Sequence, residues 1–207
     1  TVLDVGAGTG RFSVAMARVA TRVTAVEPSP SMAAILQGNV VVEGLANVDL
    51  VQTTWEDAEV TPHDVVLCSH AMYASPDLVG FIRKVEESAR RVCFLLMRVP
   101  SHDGVLAELS RRIYGHPYDS PNFVVGYNAL YSMGIYANVV MEPAIRYWVN
   151  DTQEEALERA RRHLRLVDDT TYDGMIRDLL AQSLAFKEGQ YHWPDGMRSA
   201  LVWWEVT

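Results

Sequence analysis

Basic residues are scarce in this chain: 18 Lys and Arg stand against 26 Asp and Glu among 207 residues, a formal net charge of −8. Proteins that hold nucleic acid through its phosphates carry a basic face, so this balance argues against a general phosphate-backbone binder. Arg159, Arg161, Arg162 and Arg165 do crowd one predicted helix. They follow Glu154, Glu155 and Glu158, and acid first with base last is what a helix dipole favours. Cysteine is scarcer still. Cys68 and Cys93 fall in predicted neighbouring buried strands and suit a reducing, cytoplasmic interior. No spacing of Cys, His and acidic residues resembles a zinc site. No uninterrupted apolar run is long enough to span a bilayer, and there is no repeat, low-complexity tract or flexible linker. Neither nucleic acid nor a membrane is therefore an expected partner. With 49% hydrophobic residues, the chain can bury one sizeable core, and a single domain over 1–207 is expected.

What the chain does have stands at its start. Val2-Leu3-Asp4-Val5 reads as an apolar strand, Gly6-Ala7-Gly8-Thr9-Gly10 as a tight turn, and Arg11-Phe12 as the opening of a helix. Glycines at 6, 8 and 10 let the backbone pass through conformations that a Cβ would forbid, and let a ligand approach the main chain. Amide groups opening the helix are available to an anion. The dinucleotide fingerprint wants glycine at its first, third and sixth positions, and Arg11 occupies the sixth. The spacing here is Gly-x-Gly-x-Gly instead.

That motif, preceded by Asp4, resembles the first motif of the class I methyltransferases that use S-adenosylmethionine. A strand-to-helix turn with no ligand would be the alternative, but further pieces follow in the expected order. Arg22 to Glu27 is a strand ending in a carboxylate about 20 residues beyond the glycines, where a ribose diol needs a two-oxygen acceptor. Pro28-Ser29-Pro30-Ser31-Met32 follows, with Ser29 as N-cap and Pro30 in the first helical position. The resemblance implies cofactor contacts from Asp4, Gly6, Ala7, Gly8, Gly10, Glu27 and Pro28. It also places Met32 near the adenine, where core filling is the other reading.

The strand Val48 to Gln52 runs into Thr53-Thr54-Trp55-Glu56-Asp57-Ala58. In the family, an acidic residue after the third strand accepts from the adenine amino group. Asp57 matches that place and Glu56 is its neighbour, while Trp55 either stacks on the base or packs over the sheet edge. The strand from Asp64 ends in Ser69-His70-Ala71-Met72-Tyr73. The resemblance puts Ser69 and His70 beside the methionine half of the cofactor and the acceptor. His70 is the candidate base, with loop orientation as its other reading, and Tyr73 is the second catalytic candidate.

The implied fold is α/β, a Rossmann-like doubly wound, mostly parallel sheet with an antiparallel last strand and a helical insert near the C-terminus. Pro76 to Ala89 reads as a helix, 91–97 as a fifth strand, 104–113 as a helix and 114–121 as a loop. A helix over 123–133 and a strand over 137–141 follow. Thr152-Gln153-Glu154-Glu155 signals a capping box, with one helix to about Leu166 and a second from Tyr172 to Lys187. These helices, within 150–189, are expected to wall or cover the acceptor pocket. Arg198 to Val206 is expected as the closing strand, reached through a turn at Asp195-Gly196. Of the aromatics between 114 and 148, Tyr127 and Tyr131 are the acceptor candidates, although their spacing also suits a packing stripe. The chain opens inside its first strand, and a preceding segment is expected to be absent from this numbering. The function implied is methyl transfer from S-adenosylmethionine to a small molecule, with a binding protein lacking transferase activity as the alternative.

Overall fold

The computed structural model of the protein describes residues 1–99, 103–117, 122–143 and 146–206. Tyr118, one of the aromatics between the fifth and sixth strands, lies outside the described residues together with Pro121. The chain divides into two compact units, one of residues 1–97, 125–140 and 200–207, the other of 98–124 and 141–199.

The first unit begins with β1 (Val2–Val5), α1 (Arg11–Ala17), β2 (Val23–Val26), α2 (Pro30–Val42) and β3 (Val48–Val51). It continues through β4 (His63–Ser69), α3 (Leu78–Glu87) and β5 (Ala89–Val99). Every residue of β1 and β2 is buried, as apolar strands covered on both faces must be. The strands run β3-β2-β1-β4-β5, extended by β9 (Gln190–Glu205) and β6 (Asn138–Met141). All pairings from β3 to β5 are parallel. Strand order reverses beside β1, which makes the carboxyl ends of β1, β2 and β4 the place where an open α/β sheet binds ligands. Register brings those ends level: Val5 lies opposite both Val26 and Cys68, and Val26 opposite Val51. Gly6, Glu27 and Ser69 are thus each one residue past a common edge. Cys68 and Cys93 are free and fully buried, and burial pushes both thiols up to about 12, so they act as small apolar residues.

The second unit has its own core. Leu106 and Leu109 of α4 (Val105–Tyr114) pack with Leu157 and Ala160 of α6 (Gln153–His163), Ile176 and Leu180 of α7 (Asp173–Ser183), and Trp193. Thr152 caps α6 as its sequence predicts, its hydroxyl accepting from the Glu155 amide at 3.1 Å. The helix α5 (Phe123–Ser132), which from Val125 onward belongs to the first unit, stops just before Gly134, close to its expected end.

Two expectations change here. The predicted helix to Lys187 stops at Ser183, and β8 (Ala185–Lys187) turns back antiparallel on β9. Glu188 and Gly189 both have positive φ, 52° and 82°, the two-residue hairpin geometry that matches strand twist. The predicted turn at Asp195-Gly196 is instead part of the continuous β9. Its pairing with β7 (Arg146–Asn150) shifts register between Tyr147 and Val149, opposite the Trp193-to-Asp195 stretch. Pro194, which lacks an amide donor, sits in that irregularity, where strands tolerate proline.

Candidate active site

A cavity of about 580 Å³ opens at the strand ends of the first unit, within the range that holds small-molecule ligands. Its floor is the glycine turn. Gly6 has φ 71°, and a Cβ there would come 2.2 Å from that of Ala71, so the turn and the segment after β4 approach each other only because this residue is glycine. Gly8 has φ 57° and no atom within 4 Å of where its Cβ would stand, which leaves its backbone open to the cavity.

Glu27 follows β2 and is 7% exposed. One carboxylate oxygen accepts from the Gly8 amide at 2.8 Å and the other from the Ser29 amide at 2.9 Å. The side chain is therefore locked between the glycine turn and the start of α2. Each oxygen keeps acceptor capacity for a diol, since a carboxylate offers about four lone-pair sites. Ser29 also caps α2, accepting from the Met32 amide, and Pro30 occupies the first turn. Asp4 lies behind the turn rather than on the cavity wall. Its carboxylate accepts from the Ser13 hydroxyl at 2.6 Å. Burial pushes the Asp4 carboxyl up to about 6, against the Ser13 hydrogen bonds and with help from the nearby Glu27 charge.

The far wall comes from the segment after β3 and from α3. Trp55 is 5% exposed, and its indole N–H donates to the Phe81 carbonyl at 3.3 Å. It both packs against α3, with its ring 6.1 Å from that of Phe81, and presents atoms to the cavity. Glu56 lines the cavity, and its carboxylate accepts from the Ser75 hydroxyl at 2.9 Å. Asp57 is not among the lining residues; its carboxylate accepts from the Thr54 hydroxyl at 2.8 Å within its own turn. At the end of β4, Ser69 and His70 line the cavity. His70 takes φ 57°, an uncommon conformation for a side-chain-bearing residue, and its Nδ1 lies 2.8 Å from the Tyr73 hydroxyl.

Of the sequence-predicted contacts, Gly6, Gly8, Glu27, Pro28, Met32, Trp55, Glu56, Ser69 and His70 meet at this cavity. Asp4, Ala7, Gly10, Asp57 and Tyr73 are not among its lining residues. Tyr127 donates its hydroxyl to the Ala137 carbonyl at 3.1 Å, and Tyr131, 62% exposed, packs edge-on against Tyr136; neither lines the cavity. Sequence reading did not name Val5, Val26, Ser29, Thr54, Ala71, Ser75, Pro76 and Phe81 as contacts. Ser75-Pro76-Asp77 carried a local signal as a turn leading into a capped helix, and Ser29 one as the cap of α2.

A family model described as a methyltransferase domain matches residues 2–91, the stretch that builds this cavity. Residues 2–91 are thus similar to a methyltransferase domain. An uncharacterized protein of Haemophilus influenzae is 27% identical over 214 aligned positions, covering 99% of this chain and 76% of its own length. A ubiquinone biosynthesis O-methyltransferase of Methylocella silvestris is 32% identical over 84 positions, which is 40% of this chain and 32% of that protein. The fold is shared with a magnesium protoporphyrin IX methyltransferase of Synechocystis, solved with bound S-adenosylhomocysteine. There the TM-score is 0.52 at 14% identity, covering 97% of this chain and 72% of that one. The residues at this cavity fit S-adenosylmethionine, the cofactor that the resemblance of the glycine motif implies. A bare glycine backbone, a pinned two-oxygen acceptor at the next strand end and a largely apolar far wall suit an amino-acid chain, a ribose and a base in that order.

Proposed function

We propose that this chain transfers the methyl group of S-adenosylmethionine to a small-molecule acceptor. The observation that carries this reading is the locked Glu27 carboxylate at the edge of the cavity, level with the glycine turn and with the His70–Tyr73 pair at the end of β4. Bound S-adenosylmethionine supplies a methyl group on a positively charged sulfur, already activated for displacement by an acceptor lone pair. The protein then has mainly to position and to exclude water, an effect that can reach roughly 7 to 11 kcal/mol of a barrier.

Glu27 holds the ribose, and the Gly6–Gly8 backbone carries the amino-acid end. Tyr73 fixes the imidazole of His70 through Nδ1, and His70 orients the acceptor or takes its proton. The acidic net charge favours a metabolite over nucleic acid. Tyr127 and Tyr131, engaged elsewhere, have no part in this reading.

The test is release of S-adenosylhomocysteine by the purified protein, screened across small-molecule extracts. Product that depends on one acceptor fraction supports the reading. Tight cofactor binding with no product from any fraction would replace it with a cofactor-sensing role. With an acceptor in hand, His70→Ala is expected to lower kcat by about 10² or more if the imidazole moves the proton, with Tyr73→Phe milder. Cofactor affinity should change little in either variant.

A further inference from the structure

We propose that Lys84 is a positioning residue that determines how the cavity reads the purine of its cofactor, an inference that rests on the S-adenosylmethionine reading above. The cofactor must run across the strand ends in a fixed direction. Its ribose meets Glu27 after β2 and its reacting end faces β4, so the base falls on the β3 side, where Trp55 and Glu56 form the wall. Those two residues belong to a short turn segment with no regular structure of its own to hold it.

Lys84, in the last turn of α3, supplies the hold. Its ammonium donates to the Trp55 carbonyl at 2.7 Å and to the Glu56 carbonyl at 2.8 Å, and it stands 4.9 Å from the centre of the Trp55 ring. Charge-assisted bonds to two successive carbonyls fix a peptide more firmly than neutral ones would, and the cation over the indole face adds attraction. Among the described residues Lys84 makes no ion pair with a carboxylate, so its charge is directed to this segment. The same helix accepts the Trp55 indole N–H at Phe81, and Ser75, just ahead of it, binds the Glu56 carboxylate. Glu56 is thereby held at both its main chain and its side chain. Lys84 reaches the base only through Trp55 and Glu56, so it is not itself a cofactor contact.

Affinities for S-adenosylhomocysteine and S-inosylhomocysteine, which differ at the purine 6-position, test this by titration calorimetry on the wild type, Lys84→Met and Lys84→Arg, alongside thermal melts. The wild type should prefer the adenosyl compound by about tenfold or more, as a site built around a polar group does. Lys84→Met should lose most of that preference, and Lys84→Arg should recover it to within about twofold, because it restores charged donors. A preference that survives in Lys84→Met, however much its melting temperature falls, overturns the proposal and leaves Lys84 a structural residue. If Lys84→Met does not fold, Lys84→Gln is read in the same way. A wild type that binds neither compound defeats the cofactor reading itself, whereas binding with an unchanged preference defeats only the role of Lys84.

Discussion

Asp4 shows how a single residue ties stability to the site. Burial lifts its carboxyl from 3.8 to about 6, so the folded protein binds a proton there more tightly than the unfolded chain does. Stability from this group is therefore largest below pH 4 and declines as pH rises toward 6, by roughly 3 kcal/mol at most. Asp4→Asn, which keeps an acceptor for Ser13 and removes the charge, should gain stability relative to wild type at pH 7.5 and little or none at pH 4. Chemical denaturation at both values checks this, and a difference independent of pH would contradict it. At this scale the sequence was legible where chemistry is tied to a motif, as at Gly8 and Glu27. It was ambiguous between Glu56 and Asp57. Adjacent acids differ in sequence by nothing but position, and only the Thr54 hydroxyl, by taking up Asp57, leaves Glu56 on the cavity wall. Tyr127 and Tyr131 do not line this cavity, and helical spacing alone cannot say which face of a helix meets one.

Elements were readable wherever a cap or a period marked them. Ser29 and Thr152 cap the helices their sequences announce, and Asp77 starts α3 by accepting from the Gly80 amide at 2.9 Å. Thr152→Ala should cost about 1 kcal/mol of stability, read from the denaturation midpoint at constant m-value. Leu157→Ala should cost more, about 2 to 5 kcal/mol, because that side chain is fully buried among α4, α6 and α7. A smaller loss for Leu157 than for Thr152 would contradict the packing described. The illegible elements were the hairpin at Glu188-Gly189 and the continuous β9. Pro194-Asp195-Gly196 has the composition of a turn, yet cross-strand pairing with β7 holds it in a strand, a long-range interaction with no local signature.

For the whole molecule, acid sensitivity follows from histidines kept neutral by their surroundings. Burial, then the adjacent Arg98, pulls His163 down to about 4, and burial lowers His63, whose ring nitrogens engage Thr24 and Thr61. Folded values below the unfolded one mean that their contribution is fully present above about pH 6.5 and is lost as pH falls toward the folded values. The stability deficit of His163→Gln relative to wild type should therefore shrink between pH 7 and pH 4.5. A constant deficit would show that protonation of this ring is not linked to folding. This trend opposes that of Asp4, which is why each variant is compared with wild type rather than read from one pH curve.

The proposed methyl transfer depends on Glu27 joining the glycine turn to a ribose. Calorimetric titration of S-adenosylmethionine into wild type and Glu27→Ala tests that most directly. Wild type should bind one equivalent, with Glu27→Ala at least about 30-fold weaker, as expected for loss of a buried charged acceptor. Absence of binding to wild type at hundreds of micromolar, or equal affinity in the variant, would contradict it.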